Sequence, residues 1–104
     1  MKYFLVLLSD EPDGGVEDAI ARAHEGFIDV LIARTAVLLG GGFETPVSGF
    51  YAGYVLIADS IAAATAVAQD DPLVRDARVT CHVTEWRLVG IDTAAIDPNQ
   101  TVRA

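Results

Sequence analysis

Two residues of this chain have the type and setting for proton chemistry, His24 and Asp71. Ile20, His24, Phe27 and Leu31 recur at spacings of four, three and four, which stacks them on one side of a helix read from Val16 to Thr35. Arg22, Glu25 and Asp29 fall largely away from that stripe, so the helix presses a histidine toward whatever it packs on. An imidazole titrates near neutrality and can take or give a proton at physiological pH, and a partly apolar wall would hold it neutral and poised as a base. The plainer account is a core-edge imidazole bonded to a backbone carbonyl. Asp71 is equally double-edged. In Asp71-Pro72 the proline suits the first position of a helical turn and the aspartate its N-cap, which would explain both residues. The same carboxylate, if the end of the second helix lies near the first, would orient the His24 ring and fix its tautomer.

Other candidates are weaker. Gly40-Gly41-Gly42 lacks the outer glycines of a dinucleotide fingerprint and the Lys-Ser/Thr pair of a P-loop. It serves either a twisting strand edge or, at Gly41 and Gly42, a backbone-lined pocket floor beneath His24 that could hold a developing oxyanion. Tyr51 and Tyr54 sit in a strand, where aromatics usually pack or dimerise, and are candidates to wall a small ligand. Cys81 and His82 are adjacent on a strand and point to opposite faces, and two histidines with one cysteine have no zinc spacing. Asp10, Glu11, Asp13, Glu17 and Asp18 are spread over a loop and a helix start without calcium-loop spacing. No cofactor and no metal is expected.

Fifteen acidic residues against seven Lys and Arg give a formal net charge of -8, which argues against a nucleic-acid partner and leaves a small anionic substrate open. Apolar residues make up 52% of the 104, so the chain has ample material for a core. No run approaches the 18 or so apolar residues of a membrane span. The apolar start, Met1 to Leu8, lacks a convincing cleavage site and is better spent as a strand, because a polar turn follows at Asp10 to Gly15. A single cysteine makes no internal disulfide and fits a reducing, cytoplasmic location.

The elements that must position these residues read in order as a strand at 2–8, the helix at 16–35, the helix exit and a second strand together at 36–43, and a turn region at 44–49. A strand at 50–59 follows, then a helix at 61–69 capped by Ser60, an interruption and short turn at 70–77, and a strand at 79–89. Residues 90–104 form a polar tail of one 1–104 domain. In the strand at 50–59, Tyr51, Gly53, Val55 and Ile57 fall on one side and Ala52, Tyr54, Leu56 and Ala58 on the other. The order strand, helix, strand, strand, helix, strand is the α+β ferredoxin-like βαββαβ pattern, a four-stranded antiparallel sheet with two helices on one face. The strands at 2–8 and 50–59 are apolar on both sides, so the bare face is expected to be covered by a second copy in a homodimer.

Met1 to Leu8, Ala23-His24-Glu25, Leu38-Leu39-Gly40-Gly41, Asp70-Asp71-Pro72-Leu73-Val74 and Val83-Thr84-Glu85-Trp86, in that order and separation, resemble the YCII-related family over residues 1–89. The resemblance implies a dimeric ferredoxin-like alpha+beta barrel and an active site pairing the helix histidine, here His24, with the aspartate of the Asp-Pro pair, here Asp71. Glu25 replaces the leucine that often follows the histidine, Gly41-Gly42 replace a segment that often holds proline, and Leu73 stands where an aromatic is common. One branch of that family looks like dehydrochlorinases of chlorinated hydroxyhydroquinones. The expected function is a cofactor-independent lyase or isomerase of a small cyclic or aromatic oxygenated metabolite, and the alternative is a noncatalytic small-molecule-binding or structural homodimer.

Overall fold

The computed structural model of the protein describes residues 1–97; the expected tail at 90–104 lies outside the described residues from 98 onward. Seven main elements run β1 (Lys2–Ser9), α1 (Asp18–Ala33), β2 (Val37–Val47), β3 (Phe50–Ala58), α2 (Ile61–Gln69), α3 (Pro72–Ala77) and β4 (Thr80–Glu85), with a 3₁₀ turn at Thr93–Ala95. The strands form one antiparallel sheet in the order β2-β3-β1-β4, the ferredoxin-like arrangement.

Alternation along β1 separates two faces. Phe4, Val6 and Leu8 are buried on the helix side, where they meet Tyr54, Leu56, Leu31, Ala64 and Ala68. The small side chains of α2 let that helix lie close to the sheet, and burying Phe4, Leu8 and Leu56 contributes about 1.5–3 kcal/mol each. Tyr3, Leu5, Leu7 and Ser9 point the other way. No helix of the described residues is long and apolar enough to cross a membrane.

Several boundaries differ from expectation for identifiable reasons. The first helix starts at Asp18 rather than Val16 and stops at Ala33 rather than Thr35. Thr35 takes a left-handed φ of 57°, and the bonds Thr35 N–H to Ile32 C=O and Ala36 N–H to Leu31 C=O close a Schellman cap without glycine. The second strand runs on through the expected turn region to Val47, and the hairpin is made by Ser48 and Gly49 alone, both at positive φ. Pro46 is tolerated because β2 is an edge strand. Residues 72–77 form a short helix rather than a turn, and the last strand ends at Glu85, with one more ladder bond from Trp86 N–H to Tyr3 C=O.

The last difference moves a side chain. Leu8 pairs with Ala52 but Ser9 pairs with Phe50, so Tyr51 is an unpaired bulge residue. Strict alternation would put Tyr51 with Gly53 and Val55; the bulge instead turns it onto the helix-side core, on the same face as Tyr54.

Candidate functional site

Among the described residues the helix-side core contains one buried charged residue, Asp71, with no exposed surface. Local sequence puts it there. Asp70 caps α2, Pro72 opens α3 with its fixed φ, and Asp71 between them is the N-cap of α3, its carboxylate accepting from Leu73 N–H at 2.9 Å. The same carboxylate faces α1. His24 Nδ1 lies 2.8 Å from Oδ1 and 2.9 Å from Oδ2. One side chain thus meets both the α3 N-terminus and the His24 ring, and the two candidate residues, 47 positions apart in sequence, are in contact.

This contact decides the tautomer. An ionised carboxylate only accepts, so the proton between the two groups sits on Nδ1, which donates to Asp71. In the neutral ring the lone pair is then on Nε2. The His24 side chain retains 24% of its surface exposure against none for Asp71, so the imidazole links a buried anchor to the solvent-accessible surface.

Two tyrosines complete the surroundings. Tyr54 donates its hydroxyl to Asp71 Oδ2 at 3.4 Å, a long bond that still gives the buried carboxylate another donor. Burial, then the charge of Asp71 beside it, raises the Tyr54 phenol well above its ordinary value. Tyr51 places its hydroxyl out of solvent with no hydrogen-bond partner among the described residues. Burial, with the charges of Glu11 and Asp71, pushes its pKa up to about 12, so it remains a neutral donor across the physiological range. Neither the link from Tyr54 to Asp71 nor the approach of Glu11 to Tyr51 is readable from sequence. The signal available was only that Tyr54 lies on the same strand side as Leu56.

Gly41 and Gly42 are placed elsewhere. They line a groove of about 190 Å³ on the open face of the sheet, with Leu5, Leu39, Phe43 and Trp86, and neither His24 nor Asp71 lines it. Neighbouring Gly40 has a packing reason: a Cβ there would lie 2.6 Å from that of Tyr54, so glycine lets β2 pass tightly over the tyrosine. Cys81 turns to the helix side and His82 to the open side, as adjacent strand residues must. His82 Nε2 is 2.9 Å from Ser9 Oγ, and the Phe50 ring meets the imidazole edge-on at 5.1 Å. Among the described residues no three His, Cys, Asp or Glu side chains gather as a metal site.

A solved structure similar to this chain is that of 5-chloro-2-hydroxyhydroquinone dehydrochlorinase (TftG) from Burkholderia phenoliruptrix AC1100, in complex with 2,5-dihydroxybenzoquinone. The TM-score is 0.60 at 16% sequence identity, covering 82% of this chain and 93% of that one. At that identity the likeness carries the fold. No family model and no curated protein matches the chain.

Proposed function

We propose that the protein is a cofactor-independent lyase or isomerase in which His24 moves a proton on a small cyclic or aromatic oxygenated metabolite. The observation that carries this reading is the grip of both oxygens of a fully buried Asp71 on His24 Nδ1, which leaves Nε2 as the basic nitrogen. In the proposed step Nε2 takes a proton from a phenolic hydroxyl or from a carbon next to a carbonyl. Loss of a phenolic proton leaves a phenolate, loss of the carbon-bound proton sends the electron pair onto the carbonyl oxygen as an enolate, and Asp71 balances the imidazolium in either case. An isomerase returns the proton to another carbon; in a lyase the oxyanion collapses, the leaving group departs with its bonding pair, and the imidazolium releases its proton to that group or to solvent. The Tyr51 hydroxyl is the uncommitted donor for that oxygen, and its lack of exposed surface means that covering groups shift when it is used.

Two further observations support this class. The motif resemblance to the YCII-related family gives the same pair, and the similar dehydrochlorinase, a lyase, was solved with a dihydroxylated quinone. The test is proton exchange in heavy water, followed by proton NMR on hydroxylated quinones and enolisable cyclic ketones. Wild-type exchange should fall by about 10²–10⁴-fold in His24→Asn. No exchange by wild type, or equal exchange by the variant with the fold intact, leaves Asp71 as a helix cap and makes the noncatalytic binding dimer the better account.

The same proposal includes a homodimer through the open sheet face, where Leu39, Phe43 and Trp86 keep 57%, 40% and 48% of their exposure. A second copy would cover these side chains, which are large apolar groups gathered on one flat surface.

A further inference from the structure

Between α1 and the α2–α3 corner lies a second groove, of about 490 Å³, a size that suits small ligands. It is lined by Ala23 and Pro72, the residues next to His24 and Asp71, and by Phe27 and Leu31 of the His24 stripe, but by neither member of that pair. Its walls are Phe27, Val30 and Val67, and Val30 is half exposed there.

Two features have no explanation within the packing of the described residues. Gly26 stands in the middle of α1, where glycine is among the poorest helix residues, and a Cβ added to it would meet nothing within 4 Å. Among the described residues no neighbouring element needs the glycine, whereas a flat group laid against the helix backbone would. Charge is the second feature. A chain of net charge -8 has seven Lys and Arg in all, and Arg34 and Arg75 both line this groove. Arg34 enters no salt bridge among the described residues; Arg75 shares its guanidinium with Asp76 at 3.3 Å on the surface, which leaves donors to spare. Asp70 lines the groove too, so two cations face one anion there, a balance that suits a monoanion and disfavours a polyphosphate.

We propose that this groove binds a monoanionic amphipathic small molecule, an aromatic carboxylic acid, with its ring on Gly26, Phe27, Val30 and Val67 and its carboxylate at Arg34 and Arg75. The site does not depend on the proton-transfer reading of His24. It is tested by titrating the isotope-labelled full-length protein with naphthalene-2-carboxylate, and separately with the neutral naphthalene-2-carboxamide, while following backbone amide shifts. Saturable shifts confined to 23–34 and 67–75 are expected, with a dissociation constant of roughly 0.1–1 mM, and at least about tenfold weaker binding of the carboxamide. Arg34→Gln with Arg75→Gln should erase the preference for the carboxylate. Gly26→Leu, a better helix former, should keep or raise the melting temperature while weakening binding about tenfold or more. Absence of saturable shifts, shifts centred on the open sheet face, equal affinity for acid and amide, or indifference to both sets of variants would each overturn the proposal.

Discussion

His24 and His82 stand on opposite faces of the same sheet, and each has a side-chain partner at hydrogen-bond distance, 2.8 Å to Asp71 and 2.9 Å to Ser9. The pairs differ in what holds the partner. Asp71 is sealed between α1 and α3, and also receives Leu73 N–H and the Tyr54 hydroxyl, so it cannot turn away without stranding donors. Ser9 and His82 meet at the edge of an uncovered face, where water can replace either group. A histidine with a neighbour is therefore not yet a site. What holds the His24 ring is the burial of its carboxylate partner and the number of groups that depend on that carboxylate.

The strongest way to break this contrast is Asp71→Ala. It removes the cap of α3 and strands the His24 ring, the Leu73 N–H and the Tyr54 hydroxyl in or near the core. Breaking a buried pair of this kind costs about 3–5 kcal/mol, so urea unfolding should show a loss of at least about 3 kcal/mol. Asp71→Asn keeps a capping oxygen and should cost less, while losing the acceptor-only carboxylate that holds the proton on Nδ1. Nitrogen chemical shifts of the His24 ring should then show the Nδ1–H form in wild type and a mixture in the variant. A ring that keeps one tautomer in Asp71→Asn would mean that the carboxylate is not what orients it.

The uncovered face is probed next. Trp86→Glu with Leu39→Glu places charges among large apolar groups that are already half exposed, so the monomer should lose under about 1 kcal/mol. If a second copy covers that face, the same change should weaken association about a hundredfold, roughly 2.7 kcal/mol, by analytical ultracentrifugation. A wild-type chain that is monomeric at micromolar concentration removes the homodimer from the proposal.

Alkaline pH separates the faces by a smaller amount. Tyr51, raised to about 12, and Tyr54, raised further, both lie on the helix side, and burial is the larger cause in each. A phenol whose pKa is higher in the folded state keeps its proton there after the unfolded chain has released it. Its contribution is complete below the ordinary value of about 10 and is lost as pH rises through the folded value. Stability should therefore fall from about pH 10 upward through 12, and Tyr54→Phe should flatten that fall. At neutral pH the same variant forgoes one long bond to Asp71 and should cost about 1 kcal/mol.

The parts of this architecture visible in sequence are those with a periodic signature. The Ile20, His24, Phe27, Leu31 stripe does face the interior, and the order of elements specifies the sheet. Asp71-Pro72 carried its own geometry, because an N-cap followed by proline has little freedom. What periodicity cannot express is an irregularity. One extra residue in β3 moves Tyr51 across the sheet, and a strand-order crossover decides that Gly41 and Gly42 border the open face rather than the histidine. Contacts between α1 and α3, 47 residues apart at His24 and Asp71, depend on how both helices lie on the sheet, and no local pattern encodes that distance.

The smallest effect sharpens the comparison most. Ser9→Ala removes the hydroxyl that meets His82 Nε2, yet Thr80 still ties β4 to Asp10 through its own hydroxyl, and the Phe50 ring still packs against the imidazole. Solvent satisfies the freed ring nitrogen, so the change in stability should stay within about 0.5 kcal/mol. His82→Ala also loses the ring contact with Phe50 and should cost only slightly more. Neither change should alter the proton exchange proposed for His24, since the sheet lies between the two rings. A loss of exchange in Ser9→Ala comparable to that in His24→Asn would show that the open face takes part in the chemistry, and the difference between the two histidines would then be one of role within a single site.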